Sequence, residues 1–186
     1  MPLTAALVLC LAFQTKVTPE VTAARTLATS AEYFAEQNMQ RKKMFMLRNQ
    51  KTWVAMKTDS DHLKDEMWRD DVGLVAFKWT KNGKTLIVSF TGGSPSGDWS
   101  THKLLTYRPD GSLARSLYRC AAFMLGGRIL EEESIFSKQG KKVFSQFVLM
   151  DMKGRRLKNA SEQKQMLGFR PALKDYLKAS QLPFPK

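Results

Sequence analysis

The sequence predicts an α+β domain: a long N-terminal helix, an antiparallel β-meander of about seven or eight strands forming one curved sheet, and a short C-terminal helix. Three observations carry this expectation. Apolar and small residues recur at helical spacing from Val21 to Ala35. From residue 51 the apolar period drops toward two. Glycine-centred turns at 83, 111, 140 and 154 then separate the alternating segments.

The helix is expected over 18–48. Thr18 suits its N-cap and Pro19 its first turn. Val21, Ala24, Leu27, Ala28, Ala31, Phe34 and Ala35 form the apolar stripe, and "RKK" at 41–43 with Arg48 sits where a helix C-terminus favours cations. Met39, Met44 and Met46 read as adaptable core packing. The sheet is expected over 51–158. "KTWVAMK" opens it, and "VGLVAFKW" and "KTLIVSFT" flank Asn82-Gly83, a dipeptide that accepts positive φ at both turn positions. Val75, Phe77 and Trp79 should share one face of the first strand, and Leu86, Val88 and Phe90 one face of the second.

The same grammar follows in "KLLTYRPDGSLARSLY", turning at Asp110-Gly111, and in "RILEEESIFSKQGKKVFSQFVLMD", turning at Gly140. In "KVFSQFVLM", Val143, Phe147 and Leu149 fall on one side and Phe144, Val148 and Met150 on the other, the pattern of a central strand covered on both faces. The tail, 160–186, is expected to hold a helix near 171–180 that begins at Pro171 and buries Leu173, Tyr176 and Leu177. Pro183 and Pro185 end regular structure there.

One domain over 18–186 fits the length. Residues 3–13 are an apolar run of signal-peptide length, too short for a membrane span, so 1–17 is read as a possible export segment. No Lys or Arg precedes the run and no A-x-A follows it closely, so a buried helix or strand is the competing reading. The stretch "SGDWSTHKLLTYRPDGSLARSLYR", followed by "IFSKQGKKV", resembles the strand-turn-strand pattern of uncharacterised β-rich proteins exported by bacteria. That resemblance implies export and a meander, and it implies no activity.

Thirty Lys and Arg against seventeen Asp and Glu give a net charge of +13. Such a surface attracts nucleic acid, acidic lipid headgroups and other anionic polymers. The bias is strongest from Lys138 to Lys178, so Lys141, Lys142, Lys153, Arg155, Arg156 and Lys158 form the candidate polyanion-binding set. A solvated basic face is the alternative reading of the same residues. A nucleic-acid reader would interleave aromatics on the sheet, and Phe136, Phe144 and Phe147 are the candidates for that role. No RNP-type motif accompanies them.

The stretch "TGGSPSGDWSTH", residues 91–102, most resembles an active site. Ser94, Ser96 or Ser100 would be the nucleophile, His102 the base and Asp98 the orienting group. No G-x-S-x-G elbow is present, and Ser, Gly, Pro and Asp are also what a long hairpin connection requires. Trp99 with Tyr107 and Arg108 forms a candidate ligand-binding group able to stack on a sugar or base, unless Trp99 plugs the sheet edge.

Glu131 and Glu133 should share a strand face with Glu132 opposite, as charges guarding a solvated edge strand. Two histidines, His62 and His102, and two cysteines, Cys10 and Cys120, make no metal-site pattern, and no phosphate or dinucleotide fingerprint calls for a cofactor. Cys120, in the apolar stretch "YRCAAFML", is expected to be buried.

These observations favour an exported, periplasmic or extracellular, non-enzymatic domain that binds a protein partner or an anionic envelope component. An intracellular nucleic-acid-binding protein using the C-terminal basic face is the first alternative. A hydrolase built on Asp98, His102 and Ser100 is the second.

Overall fold

The structure is a computed structural model that describes residues 17–48, 51–58, 73–158, 166 and 173–185. The apolar run 3–13 with Cys10, the segment holding His62, and Pro171 lie outside the described residues. The fold is α+β, as its sequence predicts. One α-helix, α1 (Pro19–Gln37), packs on an open, antiparallel nine-stranded sheet. The strands are β1 (Lys43–Arg48), β2 (Thr52–Met56), β3 (Gly73–Lys81), β4 (Lys84–Gly93), β5 (Trp99–Tyr107), β6 (Leu113–Ala122), β7 (Arg128–Phe136), β8 (Lys142–Asp151) and β9 (Arg156–Leu157). Their spatial order is β2-β1-β3-β4-β5-β6-β7-β8-β9, so only the first hairpin is folded outward from the meander.

The start of α1 forms as expected. The Thr18 hydroxyl accepts from the Val21 N–H at 3.4 Å, Pro19 occupies the first turn, and Val21, Ala24, Ala28, Ala31 and Ala35 are buried. A cap of this kind contributes about 1 kcal/mol. The end differs from the expectation. The helix stops at Gln37 rather than running to 48, because Asn38 closes it: its side-chain amide donates to the Phe34 carbonyl at 2.8 Å. The Trp79 indole then donates to the Asn38 carbonyl at 3.2 Å. After a 3₁₀ turn at Met39–Arg41 the chain becomes β1. There Met44 and Met46 pack on one face of the sheet, while Phe45 and Leu47 pack on the other. "RKK" therefore sits between helix and strand instead of completing a helix dipole.

The two faces of the sheet have different covers. On one face α1 crosses the strands, from Ile135 and Phe144 on β7 and β8 to Trp79 and Ile87 on β3 and β4. Two arginines pin it there. Arg25 of α1 meets Glu133 at 2.5 Å, Arg115 of β6 donates to the same carboxylate at 2.6 Å, and Arg115 also reaches Glu32 of α1 at 2.8 Å. Burial pushes the Glu133 carboxyl up, but hydrogen bonds from Arg25 and Arg115 outweigh it and hold the group below the usual carboxylate range. Glu133 thus ties helix to sheet. Strand β7 lies between β6 and β8, which corrects its expected place at a sheet edge.

On the other face lies the C-terminal tail. The expected helix near 171–180 is absent from residues 173–178, and only Ala179–Gln181 forms a 3₁₀ turn. The tail instead lies extended and pairs with a hairpin tip, with Leu113 N–H donating to the Leu177 carbonyl and Ala179 N–H to the Gly111 carbonyl. Leu173, Tyr176, Leu182 and Phe184 cover Phe45, Val88, Phe90 and Leu105. Phe184 stacks on Phe45 with ring centres 4.2 Å apart. Lys103, almost fully buried, donates to the Leu173 carbonyl and pairs with Asp175 at 2.7 Å. Asp175 also accepts from Ser116 at 2.7 Å.

Two face assignments change. Leu86 packs with the α1-side residues, away from Val88 and Phe90, where a register shift interrupts the β3–β4 ladder. Strand β8 is not central: only the two-residue β9 lies beyond it, and Val143 and Phe147 are exposed. Asn82 and Gly83 turn with φ of 52° and 73°, as the hairpin requires.

Removing the Asp175 carboxylate takes away a counter-charge that lies 2.7 Å from a buried ammonium. Asp175→Ala is expected to lower unfolding free energy by about 2–3 kcal/mol, because the cost of an uncompensated buried charge dominates. Urea denaturation checks this. A change within about 0.5 kcal/mol, typical of surface substitutions, would show that the pair does not hold the tail.

Candidate functional site

The connection 94–98 is built by its own side chains. The Asp98 carboxylate accepts from the Ser96 hydroxyl, Ser94 Oγ accepts from the Trp99 N–H at 3.3 Å, and Ser94 N–H donates to the Trp99 carbonyl at 3.1 Å. Gly92, two residues before it, answers to packing. A Cβ on Gly92 would lie 2.8 Å from the Gly73 carbonyl oxygen of the neighbouring strand. These hydroxyls therefore serve turn geometry.

His102 faces away from Asp98. Its Nε2 lies 2.8 Å from Ser89 Oγ, across the β4–β5 ladder and on the α1 side of the sheet. Ser100, exposed, lies two residues before His102 on the same strand. The structure therefore brings His102 to Ser89 and leaves Asp98 with Ser96. Burial and the charge of Arg119, its cross-strand neighbour on β6, push the His102 pKa down. A general base must accept a proton in the transition state, and both influences oppose that. The Ser89–His102 contact has the spacing of a nucleophile–base pair, with a ring whose basicity burial and Arg119 weaken. Strand register is the signal that finds Ser89, since it stands diagonally opposite His102 on the same face.

The group of Trp99, Tyr107 and Arg108 does not converge. Trp99 and Tyr107 occupy opposite ends of the nine-residue β5, about 27 Å apart at 3.4 Å per residue. Tyr107 is fully buried and donates to the Tyr176 carbonyl at 3.1 Å, and burial raises its pKa. Arg108 donates to the carbonyls of Leu113 and Phe136, both at 2.6 Å, and to Ser112 Oγ. It fastens a hairpin tip to β7. The aromatic platform does not assemble either, because Phe136 and Phe144 are buried and only Phe147 is exposed.

The candidate polyanion set divides in two. Strand β8 is ten residues long, so its ends lie about 30 Å apart. Lys141 and Lys142 stand at one end; Lys153, Arg155, Arg156 and Lys158 stand at or beyond the other. There Asp151 accepts from the backbone of Lys153 and Arg155, and from Arg155 Nε at 2.7 Å. The Arg155 hydrogen bonds chiefly hold that carboxyl low.

The denser grouping lies at the Lys141 end. In a meander alternate turns fall on the same side, so the tips at 81–84, 108–112 and 137–142 are neighbours. They present Lys81, Lys84, Arg108, Lys138, Lys141 and Lys142. The nearby acids are Glu20 and Asp110, and Asp110 is engaged by the Ser112 N–H and hydroxyl. The sequence signal was present in "TKNGK", "YRPDG" and "SKQGKK": each turn glycine has a cation within three residues before it.

Beside these tips a groove of about 410 Å³ runs along α1, lined by Leu27, Ala31, Phe34 and Leu86 below and by Lys81, Lys84 and Arg108 on its sheet side. Among the described residues no His, Cys, Asp and Glu cluster has the makings of a metal site, and no helix is long and apolar enough to cross a membrane. No protein-family model, curated protein or solved structure matches the chain.

If Arg119 is what depresses His102 beside burial, Arg119→Gln should raise the His102 pKa toward its ordinary value of about 6.5. An NMR titration of the ring protons reads this directly, with His62→Gln as the background to remove the second histidine. An unchanged His102 titration would leave burial as the whole cause.

Proposed function

We propose that this protein is an exported, non-enzymatic binding domain whose cationic end, formed by three neighbouring hairpin tips, engages an anionic envelope component. One observation carries the reading: Lys81, Lys84, Arg108, Lys138, Lys141 and Lys142 gather on one end of the sheet with few acids among them. Residues 3–13 support export by their length and apolarity. The tips project from rigid strands, so their charges are held at fixed spacing without ordering a loop on binding. That arrangement favours a repeated anion, as on an acidic lipid surface or a polymer, over a single buried counter-ion.

The Ser89–His102 pair does not outweigh this, since Arg119 and burial both disfavour the protonated ring that base catalysis needs. Nucleic acid shares the anionic chemistry. The burial of Phe136 and Phe144 removes two of the three aromatics that a sequence-reading sheet would use.

Two measurements test the reading. Mass spectrometry of the protein from its native host is expected to show a chain beginning between Gln14 and Arg25. A native chain beginning at Met1 or Pro2 would overturn export.

For binding, Lys138→Gln, Lys141→Gln and Lys142→Gln are combined in one variant and Lys153→Ala, Arg155→Ala and Arg156→Ala in another. Affinities for heparin, phosphatidylglycerol vesicles and duplex DNA are then followed against salt. The tip variant is expected to weaken heparin and vesicle binding at least about tenfold, and to lower the slope on DNA by about 2–3, since each phosphate contact contributes about 0.9. The far-end variant is expected to change affinity about threefold or less, a difference of about 0.7 kcal/mol. The opposite ranking, or tight DNA binding at physiological salt with little heparin affinity, would reject the proposal.

A further inference from the structure

We infer that the groove between α1 and the hairpin tips is a binding site for a single-chain anionic amphiphile, an acyl chain with a carboxylate or phosphate head. The inference rests on the reading of the tip end as an anion-binding surface and names a ligand that this end takes individually.

The groove's volume of about 410 Å³ lies within the usual range of small-molecule sites, roughly 300–1,000 Å³. Its floor is a continuous apolar strip. Leu27, Ala31 and Phe34 come from successive turns of α1, and Leu86 comes from the irregular part of β4 that turns this side chain toward the helix. An apolar strip of this kind takes a hydrocarbon chain, whose methylenes gain by leaving water. The groove's cations all stand on its sheet wall, where they select the head. Lys81 and Lys84 flank the β3–β4 turn, and the Lys81 ammonium lies 5.4 Å from the centre of the Phe34 ring.

At the far end of the groove stands Arg108, which also lines a second recess of about 430 Å³ beside Lys138. Its three hydrogen bonds all go to neutral oxygens. They orient the guanidinium without cancelling its charge, and a guanidinium has five N–H donors. An anionic head placed there meets a cation already held in position, so less side-chain freedom is lost on binding. Glu20 also lines the second recess, and Asp110 lies within electrostatic reach of Arg108, so the head meets a net cationic wall only together with Lys81 and Lys84.

The shape selects a lone amphiphile over larger occupants. A flat bilayer cannot reach an apolar floor recessed between a helix and two turns. An added peptide strand needs an open ladder edge, and hairpin tips present turns instead. An anionic polymer satisfies the cations but leaves the apolar floor wet.

Titration calorimetry on the full chain tests the site with three probes of one tail length, each below its micelle concentration: dodecanoate, dodecyl maltoside and dodecyltrimethylammonium. Dodecanoate is expected to bind saturably, one per chain, and at least about tenfold tighter than the cationic probe, a difference of one decade in Kd. Ser30→Trp, which places an indole at the groove from an exposed helix position, is expected to abolish binding. Lys81→Gln with Lys84→Gln, both exposed, should weaken it about tenfold as the summed effect of two rim charges. Circular dichroism verifies that each variant folds, and the lysine variant keeps the test open if Ser30→Trp does not. Equal binding of all three probes, or dodecanoate binding untouched by both variants, overturns the inference. Vesicle and heparin binding without dodecanoate binding rejects the groove and spares the tip surface. Dodecanoate binding without vesicle or heparin binding rejects the tip surface and sustains the groove.

Discussion

Both faces of the sheet are apolar, and most of the architecture follows from the need to cover them. Val75, Trp79, Ile87, Ile135 and Phe144 point to one side, while Phe45, Val88, Phe90, Leu105 and Leu113 point to the other. An open sheet with two such faces cannot rest with one of them against water. The chain supplies two unlike covers from its two ends. A small-residue helix lies close against one face, and an extended aromatic tail lies on the other.

The covers are held by different chemistry. Alanines at 24, 28, 31 and 35 let α1 approach the sheet closely, and the Arg25–Glu133–Arg115–Glu32 network sets its angle. The tail gains its position from backbone pairing with a hairpin tip, from the Phe184 stack, and from Lys103. A buried lysine is costly unless its charge is met, so Lys103 specifies where Asp175 must lie as much as it stabilises the fold. The helix, in crossing near one end of the strands, leaves a gap beside the tips. That gap is the groove, so the candidate binding site is a by-product of how the sheet is covered.

The electrostatics at the two ends contrast. At the β8–β9 turn Asp151 is engaged by Arg155 and by two backbone donors, so among the described residues a single carboxylate stands with Lys153, Arg155, Arg156 and Lys158. At the tip end Ser112 orients Asp110, whose charge stays close enough to Lys138 and Arg108 for both to lower its pKa, and Arg108 spends its hydrogen bonds on neutral oxygens. Among the described residues the two ends therefore differ in how many cations they gather, six at the tips against four at the β8–β9 turn. In the His102–Ser89 contact proximity supplies the geometry, and burial and Arg119 lower the proton affinity.

Much of this was legible in the chain itself, and its limits are physical. Turn glycines, the Thr18–Pro19 start and the alternation after residue 51 determined the α+β class, because each depends on backbone preferences a few residues long. The burial of Cys120 and the stripe on α1 followed from the same local periodicities.

"KMFMLR" fits a helix as well as a strand because methionines suit either period, and only pairing with β3 decides for the strand. The tail holds Leu173, Tyr176 and Leu177 at helical spacing, which predicts a helix that does not form over 173–178. Its real partners, Leu113, Gly111 and Phe45, are at least about sixty residues away in sequence. The same distance rule governed the sites. Asp98 and His102 are close in sequence yet face different neighbours, whereas Lys84, Arg108 and Lys138 are far apart in sequence and share one end of the sheet. Local propensity determines which elements form. Which side chains meet is decided by strand order and register, and these arise only when the whole sheet is assembled and both of its faces are covered.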